Sequence, residues 1–457
     1  MPAERVVIIG ADAAGMSAAH QALRVAAARS RELAVTVLDK GRHTSYSACG
    51  IPYWMAGEVG SADELVARTA EEHRAAGIDL RLGTAATAVD LAARTVTTDG
   101  GDDVAFDQLV VATGAHPVVP DWGLRRDGTA YPNVGAVHTL DDGAEWLERF
   151  EAAEPGAHVV VVGGGYVGIE VAEAALARGF GVTMVTRSRV MSSLEPGMSA
   201  RVARTLTEAG VEVVPDAEVT GFDHDPSGRV SAVHWDGGSR ACDLVVLALG
   251  VVPATEFLEG SGIPVGPKGA LRPDTRGRVT ERVWAGGDCC DYVRRLTGDR
   301  VYRPLGTHAT KIGRVLGENL AGGRLSFDGV LETVITRFAG GGQYVEVART
   351  GLSLADAKAA AFDPVAFVTE GTTTSGYMPG AEPIAIWVMA DRVTRRLLGV
   401  QVLGGHGAGK RIDTAAAVLW HGGSVDDLAW MDLSYAPPVS TTWEVLQIAA
   451  RRVAERI

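Results

Sequence analysis

The sequence predicts an α/β fold made of two Rossmann-like, doubly wound parallel-sheet units and a third, C-terminal α+β domain. Three observations predict it. The stretch RVVIIGADAAGMSAAHQALRVAAARSRELAVTVLD (5–39) reads strand, glycine turn, helix, strand, and HVVVVGGGYVGIEVAEAALARGFGVTMVTR (158–187) repeats that grammar. From about residue 325 the pattern changes to Gly-rich alternating strands, VLETVITRFAGGGQYVEVART, and after Arg411 to helical periodicity. The 457 residues suffice for several domains, and the 57 glycines cluster after short Val/Ile runs, as strands do that stop at ligand-binding turns.

In the first unit the turn runs Gly10, Ala11, Asp12, Ala13, Ala14, Gly15, so the outer glycines of G-x-G-x-x-G are present and Asp12 holds the middle place. A helix beginning there offers its N-terminal amides to a pyrophosphate, and Asp39 at the end of the next strand suits a ribose hydroxyl. FDQLVVATGAHPVVP (106–120) reads as the returning strand. The second unit has the complete spacing, Gly163, Gly165 and Gly168. Its following strand ends not in an acid but in Thr186, Arg187, Ser188 and Arg189, and guanidinium groups there suit a 2′-phosphate, which favours NADPH while leaving NADH possible. CDLVVLALGVVP (242–253) closes this unit, and VTERVWAGGDCCD (279–291) is one more apolar strand, stopping at Gly-Gly-Asp. Two such units imply two different nucleotides. The expected boundaries are 1–120 and 246–324 for the two parts of a first nucleotide-binding domain, 121–245 for a second, and 325–457 for a C-terminal interface domain.

A net charge of -13 without a basic block excludes nucleic acid and anionic membrane as partners, since both need clustered Lys and Arg. No apolar run approaches the roughly 20 residues of a membrane span. Four cysteines, at 49, 242, 289 and 290, and an N-terminus without a signal pattern point to the cytoplasm. No metal is expected. Cys49 stands in SYSACGIPYW (45–54), just beyond Asp39. A chain that runs on along a dinucleotide from Asp39 could bring this thiol towards a flavin, and a helix start near Gly50 would lower its pKa.

TSYSACGIPYW resembles the single-cysteine redox motif of the pyridine nucleotide-disulfide oxidoreductases, in the branch that includes coenzyme A disulfide reductases, NADH oxidases and NADH peroxidases. The resemblance covers essentially the whole chain. It makes VVVVGGGYVGIEVAE the nicotinamide site, with Tyr166 as an aromatic gate over the flavin and Glu170 beside the nicotinamide. VWAGGDCCD is similar to the second FAD motif, which implies that Asp288 binds the ribityl chain, and PLGTHATKIGRVLGENLAG (304–322), containing Ala309, resembles the helix that faces the flavin ring. The implied FAD set further includes Lys40, Ser45, Ala86, Thr113 and Gly114, and the NAD(P) set Val167 and Gly250. SGYMPGAEP (375–383) and MDLSYAPPVS (431–440) resemble segments that bring two tyrosines from a partner subunit over the redox cysteine, here Tyr377 and Tyr435. GAGKRID (407–413) matches as well, and Arg24, Ser45 and Lys410 are the implied substrate contacts.

The departures concern the substrate. Gln21 and Leu23 replace basic residues on the first helix, Ala48 stands for an asparagine, Met378 for a second tyrosine of a doublet, and Ala13 for the histidine of the oxidase and peroxidase branch. No second cysteine lies near Cys49, and Cys289 and Cys290 read as structural because adjacent cysteines rarely bridge without strain. No rhodanese-type module is expected after the third domain. The implied activity is that of a homodimeric, FAD-dependent NAD(P)H oxidoreductase that reduces a low-molecular-weight disulfide or persulfide through a mixed disulfide on Cys49. The alternatives are an NAD(P)H oxidase that cycles Cys49 through a sulfenate, and a flavin-bound redox sensor.

Overall fold

The computed structural model describes residues 3–457. The first glycine-turn unit is β1 (Glu4–Ile9), α1 (Ala13–Ala28) and β2 (Leu33–Asp39). These strands belong to a five-stranded parallel sheet ordered Val283–Ala285, Gln108–Val111, β1, β2, Asp79–Leu82. The sheet is discontinuous in sequence, because its edge strand at 283–285 returns after the whole second unit. Beyond β2 the chain makes a single 3-10 turn, Ala48–Gly50, and passes directly into the short helix α2 (Ile51–Ala56).

The second unit comprises β3 (His158–Val162), α3 (Tyr166–Ala177) and β4 (Gly181–Val185). Its parallel sheet is ordered Val211–Val214, β4, β3, Leu244–Leu247, Val134–Gly135. Both parallel sheets are covered on both faces, which is why their central strands are unbroken Val/Ile/Leu runs rather than alternating ones. A long helix, α4 (Gly306–Leu320), then returns to the first unit and packs on α1. Two glycines permit this crossing: a Cβ on Gly313 would lie 2.3 Å from the Ala14 carbonyl oxygen, and one on Gly317 2.3 Å from that of Ala18.

The C-terminal domain is a five-stranded antiparallel sheet that starts with β5 (Val334–Gly340) and is ordered β5, Gln343–Gly351, Leu397–Gly404, Pro383–Asp391, Pro364–Thr372. The helices Ile412–Trp420, Val425–Trp430 and Val445–Ala454 complete it. The domain shares one apolar core with the second unit, and α2 is anchored in that same core through Ile51 and Met55, both fully buried. Burial of two such side chains contributes about 1.5–3 kcal/mol each. The segment carrying Cys49 is thus tethered at one end to the first sheet and at the other to the second unit. No helix among the described residues is long and apolar enough to cross a membrane.

Candidate active site

The first glycine turn is forced by close approach. Gly10 has φ +110°, and a Cβ there would sit 2.1 Å from the Ala112 carbonyl oxygen, while one on Gly15 would sit 1.8 Å from that of Gly10. Asp39 ties the turn to the strand end by accepting from the amides of Ala11 at 2.7 Å and Gly41 at 2.6 Å, and a carboxylate keeps further lone pairs for a ribose hydroxyl. Ser45 and Thr44 fasten the following loop to the same turn: the Ser45 amide and the Thr44 hydroxyl both donate to the Ala11 carbonyl, at 3.3 and 2.6 Å.

Some helix N-termini are closed by side chains and others are left open. The helices beginning at Ala70, Leu140, Leu354 and Val425 close their first turns with capping boxes led by Thr69, Thr139, Ser353 and Ser424. The three long helices of the expected nucleotide sites, α1, α3 and α4, have no side-chain cap at Asp12, Gly165 and Leu305. Their first amides are available to a ligand, as are those of the uncapped helices Pro196–Glu208 and Ile412–Trp420. Asp288 accepts from the Leu305 amide, and burial pushes its carboxyl up to about 6. Burial and then the neighbouring Asp39 push Asp12 up to about 6 as well. Thr113 donates to the Ala254 carbonyl at 2.7 Å, and Gly114, at φ +68°, and Gly250, at φ +90°, turn the paired segments Ala115–Pro117 and Val251–Pro253. Ala309 is buried on α4, Lys40 is exposed, and Ala86 begins the strand Ala86–Asp90. Open helix N-termini, a turn that admits only glycine, and the acids Asp39 and Asp288 where the resemblance puts the ribose and ribityl contacts fit FAD.

The second turn repeats the geometry. Gly163 has φ +115°, with a Cβ position 2.2 Å from the Ala248 carbonyl oxygen, Gly168 abuts the Gly163 carbonyl, and Gly165 faces open space. Val167 is exposed beside it, and Tyr166, half-buried, has its hydroxyl 3.5 Å from Ser193 Oγ. Arg187 and Ser188 are exposed and make no side-chain hydrogen bond among the described residues, whereas Arg189 donates to the carbonyls of Ser192 and Leu194 at 3.1 and 2.9 Å. Of the two arginines read for a 2′-phosphate, one is therefore occupied by its own loop. Glu170 accepts from Thr336 of β5 at 2.6 Å.

Cys49 is the exposed cysteine; Cys242, Cys289 and Cys290 are buried and free, the last two with their sulfurs 3.8 Å apart. The expectation of a lowered thiol pKa is corrected. Cys49 lies in the 3-10 turn just ahead of α2, and its thiol is nevertheless pushed up, by desolvation first and then by the charges of Glu170, Asp288 and Asp12. The tertiary structure thus brings three acids far apart in sequence, at the N-cap of α1, on α3 and in the 288 turn, to act on one sulfur.

Ser45 also opens a cavity of about 280 Å³ lined by Met16, Ser17, His20, Ala67, Arg68 and His73. Its hydroxyl lies 3.0 Å from His73 Nε2, His73 Nδ1 lies 2.7 Å from His20 Nε2, and Arg68 donates to His20 at 3.0 Å. Burial, first of all, pushes His73 down to about 4. These three residues have no motif, and only the packing of α1 against the segment after Cys49 unites them. Arg24, an implied substrate contact, instead donates to Gln21 at 2.9 Å, and Gln21 in turn to Glu318.

Tyr377 and Tyr435 are exposed and share one surface. The Tyr435 hydroxyl is lowered by the side chains of Thr442, Tyr377 and Ser375. Their loops are sewn together by Ser375, whose amide donates to the Pro437 carbonyl at 3.1 Å, and by Arg411, which donates to the carbonyls of Thr373 and Val439 at 2.6 and 3.3 Å. Lys410 is exposed and paired with Asp413. Among the described residues no hydrogen bond joins either tyrosine to Cys49. Trp430, Val439 and Trp443 add exposed apolar area to the same domain.

Residues 4–311 match the family described as pyridine nucleotide-disulphide oxidoreductase, and residues 343–446 match the dimerisation domain of that family. The chain is 34% identical over 464 residues to the NAD(P)H coenzyme A polysulfide/persulfide reductase of Pyrococcus horikoshii, covering 98% of each chain. It is 30% identical over 465 residues to an NADH oxidase of Methanocaldococcus jannaschii, covering 99% of each. Among solved structures, an NAD-dependent persulfide reductase from A. fulgidus superposes with a TM-score of 0.91 at 30% identity, over 99% of this chain and 83% of that one.

Proposed function

The chain belongs to the pyridine nucleotide-disulphide oxidoreductase family, and on that premise we propose that it reduces a low-molecular-weight disulfide or persulfide with NAD(P)H, through Cys49. One observation carries this reading: a single exposed cysteine stands among Glu170, Asp288 and Asp12, with every other cysteine buried, so the oxidised state of the sulfur must involve a molecule from solution.

The FAD site would be formed by Gly10, Asp12, Ala13, Ala14, Gly15, Asp39, Lys40, Ser45, Ala86, Thr113, Gly114, Asp288 and Ala309. FAD, when bound, supplies the two-electron relay between nicotinamide and sulfur. The pyridine nucleotide would lie on Gly163, Gly165, Tyr166, Val167, Gly168, Glu170 and Gly250, with Arg187 and Ser188 nearest a 2′-phosphate. The Cys49 thiolate attacks one sulfur of the substrate disulfide, forming a Cys49–S–S–R bond and expelling the other half as a thiolate. The electron pair of NAD(P)H then cleaves that bond, restoring the Cys49 thiolate and releasing the second thiol. Overall, NAD(P)H, one proton and R–S–S–R give NAD(P)⁺ and two R–SH. Ser45, with the His20, Arg68 and His73 cavity behind it, would receive the non-reacting part of the substrate.

The dimerisation-domain match and the exposed, paired Tyr377 and Tyr435 support a homodimer in which the same two tyrosines of a second copy stand over Cys49 and protonate the departing thiolate. Steady-state reduction of a disulfide and persulfide panel, by wild type and by Cys49→Ser and Tyr435→Phe, tests the reading. Loss of turnover in the serine variant and a mixed disulfide on Cys49 by mass spectrometry are expected. Undiminished disulfide reduction by Cys49→Ser would overturn it. Stoichiometric oxygen consumption with a Cys49 sulfenate would favour the oxidase that the Methanocaldococcus relative is named for.

A further inference from the structure

β5 crosses from the C-terminal domain onto α3, and two adjacent residues of the strand hold the acidic side of that helix. Thr336, 7% exposed, donates from Oγ1 to Glu170 Oε1 at 2.6 Å. Arg337 donates from Nη2 to Glu58 Oε2 at 2.6 Å and to Glu173 Oε1 at 3.0 Å, while the Ala339 amide donates to Glu173 Oε2 at 2.7 Å. Arg337 is thereby committed to Glu58 and Glu173. Glu170 has no lysine or arginine, and Thr336 is its one hydrogen-bond donor among the described residues.

We propose that Thr336 is a positioning residue of the redox centre: its hydroxyl, supplied by the C-terminal domain, fixes the Glu170 carboxylate within electrostatic reach of Cys49. The inference rests on the reading that Glu170 belongs to the nicotinamide site. The titratable groups that feel Glu170 are Cys49 and Tyr53 from the segment leading into and through α2, and Tyr166 from its own helix; Arg337 on β5 and Glu173 on α3 face each other instead. Burial disfavours an ionised Glu170, and the Thr336 donor opposes that effect. A hydrogen bond to a charged acceptor is stronger than a neutral one, and it also fixes where the two oxygens point. Thr336 thus keeps a negative charge beside Cys49, and that charge raises the thiol.

The test compares Thr336→Val, Thr336→Ser and Glu170→Gln as FAD-loaded enzymes. Thr336→Val is expected to lower kcat about ten-fold with KM for NAD(P)H retained, the scale of one charge-assisted hydrogen bond. Its Glu170-dependent limb in the pH profile should move to higher pH, because a lost donor makes the carboxyl easier to protonate. Thr336→Ser should restore both. The independent readout is iodoacetamide alkylation of Cys49 in the reduced enzyme: where Thr336→Val has protonated Glu170 and wild type has not, alkylation should be faster in the variant, as it should be in Glu170→Gln. A Thr336→Val enzyme with wild-type pH profile and alkylation, beside an altered Glu170→Gln, would overturn the role of Thr336 alone. Wild-type turnover and alkylation in Glu170→Gln would overturn the placement of Glu170 itself.

Discussion

Arg337 of β5 donates to Glu173 of α3 at 3.0 Å and, with Glu58 just beyond α2, joins three parts of the chain at one guanidinium. Burial, first of all, pushes the Glu173 carboxyl up to about 7 from its ordinary 4.5, against the lowering effects of the Ala339 amide and Arg337. A raised carboxyl is favoured by the fold in its protonated form, so its contribution is complete below about 4.5 and lost as pH rises through about 7. The thermal midpoint should therefore fall between about pH 5 and about pH 8, by the equivalent of up to about 3 kcal/mol, and Glu173→Gln should flatten that slope. Parallel slopes in the two proteins, measured by calorimetry across that range, would refute the assignment.

Glu170 opposes ionisation of Cys49. Glu170→Gln removes the charge with little change of shape, so the Cys49 thiol should titrate at lower pH than in wild type. The pH dependence of its alkylation rate measures this directly, and a midpoint that stays or rises contradicts it.

Arg411, partly buried, pairs with the buried Glu444 and tethers both tyrosine loops through Thr373 and Val439, whereas Lys410 pairs with Asp413 in solvent. Arg411→Met leaves Glu444 without its partner and should cost about 3–5 kcal/mol of stability, with disulfide turnover falling alongside. Lys410→Ala should change stability by under about 1 kcal/mol. A KM for disulfide that rises in the Lys410 variant, at unchanged thermal midpoint, would mark Lys410 as a substrate contact; an unchanged KM removes it from that role.

Gly313 is where α4 touches α1. Gly313→Ala drives a methyl towards the Ala14 carbonyl, and overpacking of this kind should cost about 1–3 kcal/mol. The strain falls on the turn that would hold the FAD pyrophosphate, so the FAD dissociation constant, followed by flavin fluorescence, should increase in step. Gly197→Ala, on the helix Pro196–Glu208 with open space around it, is the control and should do neither.

Arg187 and Arg189 should separate in cofactor selectivity. Arg187→Ala removes a free guanidinium and should raise KM for NADPH about ten-fold while sparing NADH. Arg189→Ala should affect both nucleotides alike, because its guanidinium serves the Ser192 and Leu194 carbonyls. Equal effects of Arg187→Ala on the two nucleotides would remove the preference for NADPH.

The two glycine turns, the strands leading to them and the change of pattern near residue 325 were legible in the sequence because each is a local demand. Gly10 and Gly163 need positive φ next to a backbone oxygen, and doubly covered strands need unbroken apolar runs. Asp39 was legible for the same reason, standing where β2 ends. The His20, Arg68 and His73 cavity was not, since its members lie on separate segments with no spacing rule. The ionisation of Cys49 was misread from the sequence: a helix start nearby suggested a lowered thiol, and desolvation of the sulfur together with distant carboxylates raises it.

The sequence by itself determined the α/β class, the two glycine-turn units and the isolation of one cysteine in a polar loop, because periodicity, glycine spacing and a lone Cys are properties of short stretches. Only the tertiary structure decided what surrounds that cysteine. Glu170, Asp288 and Asp12 act on it from distant parts of the chain, and the docking of a C-terminal sheet on α3 sets Thr336 against Glu170; desolvation and Coulomb effects depend on distance in space, which sequence separation does not encode.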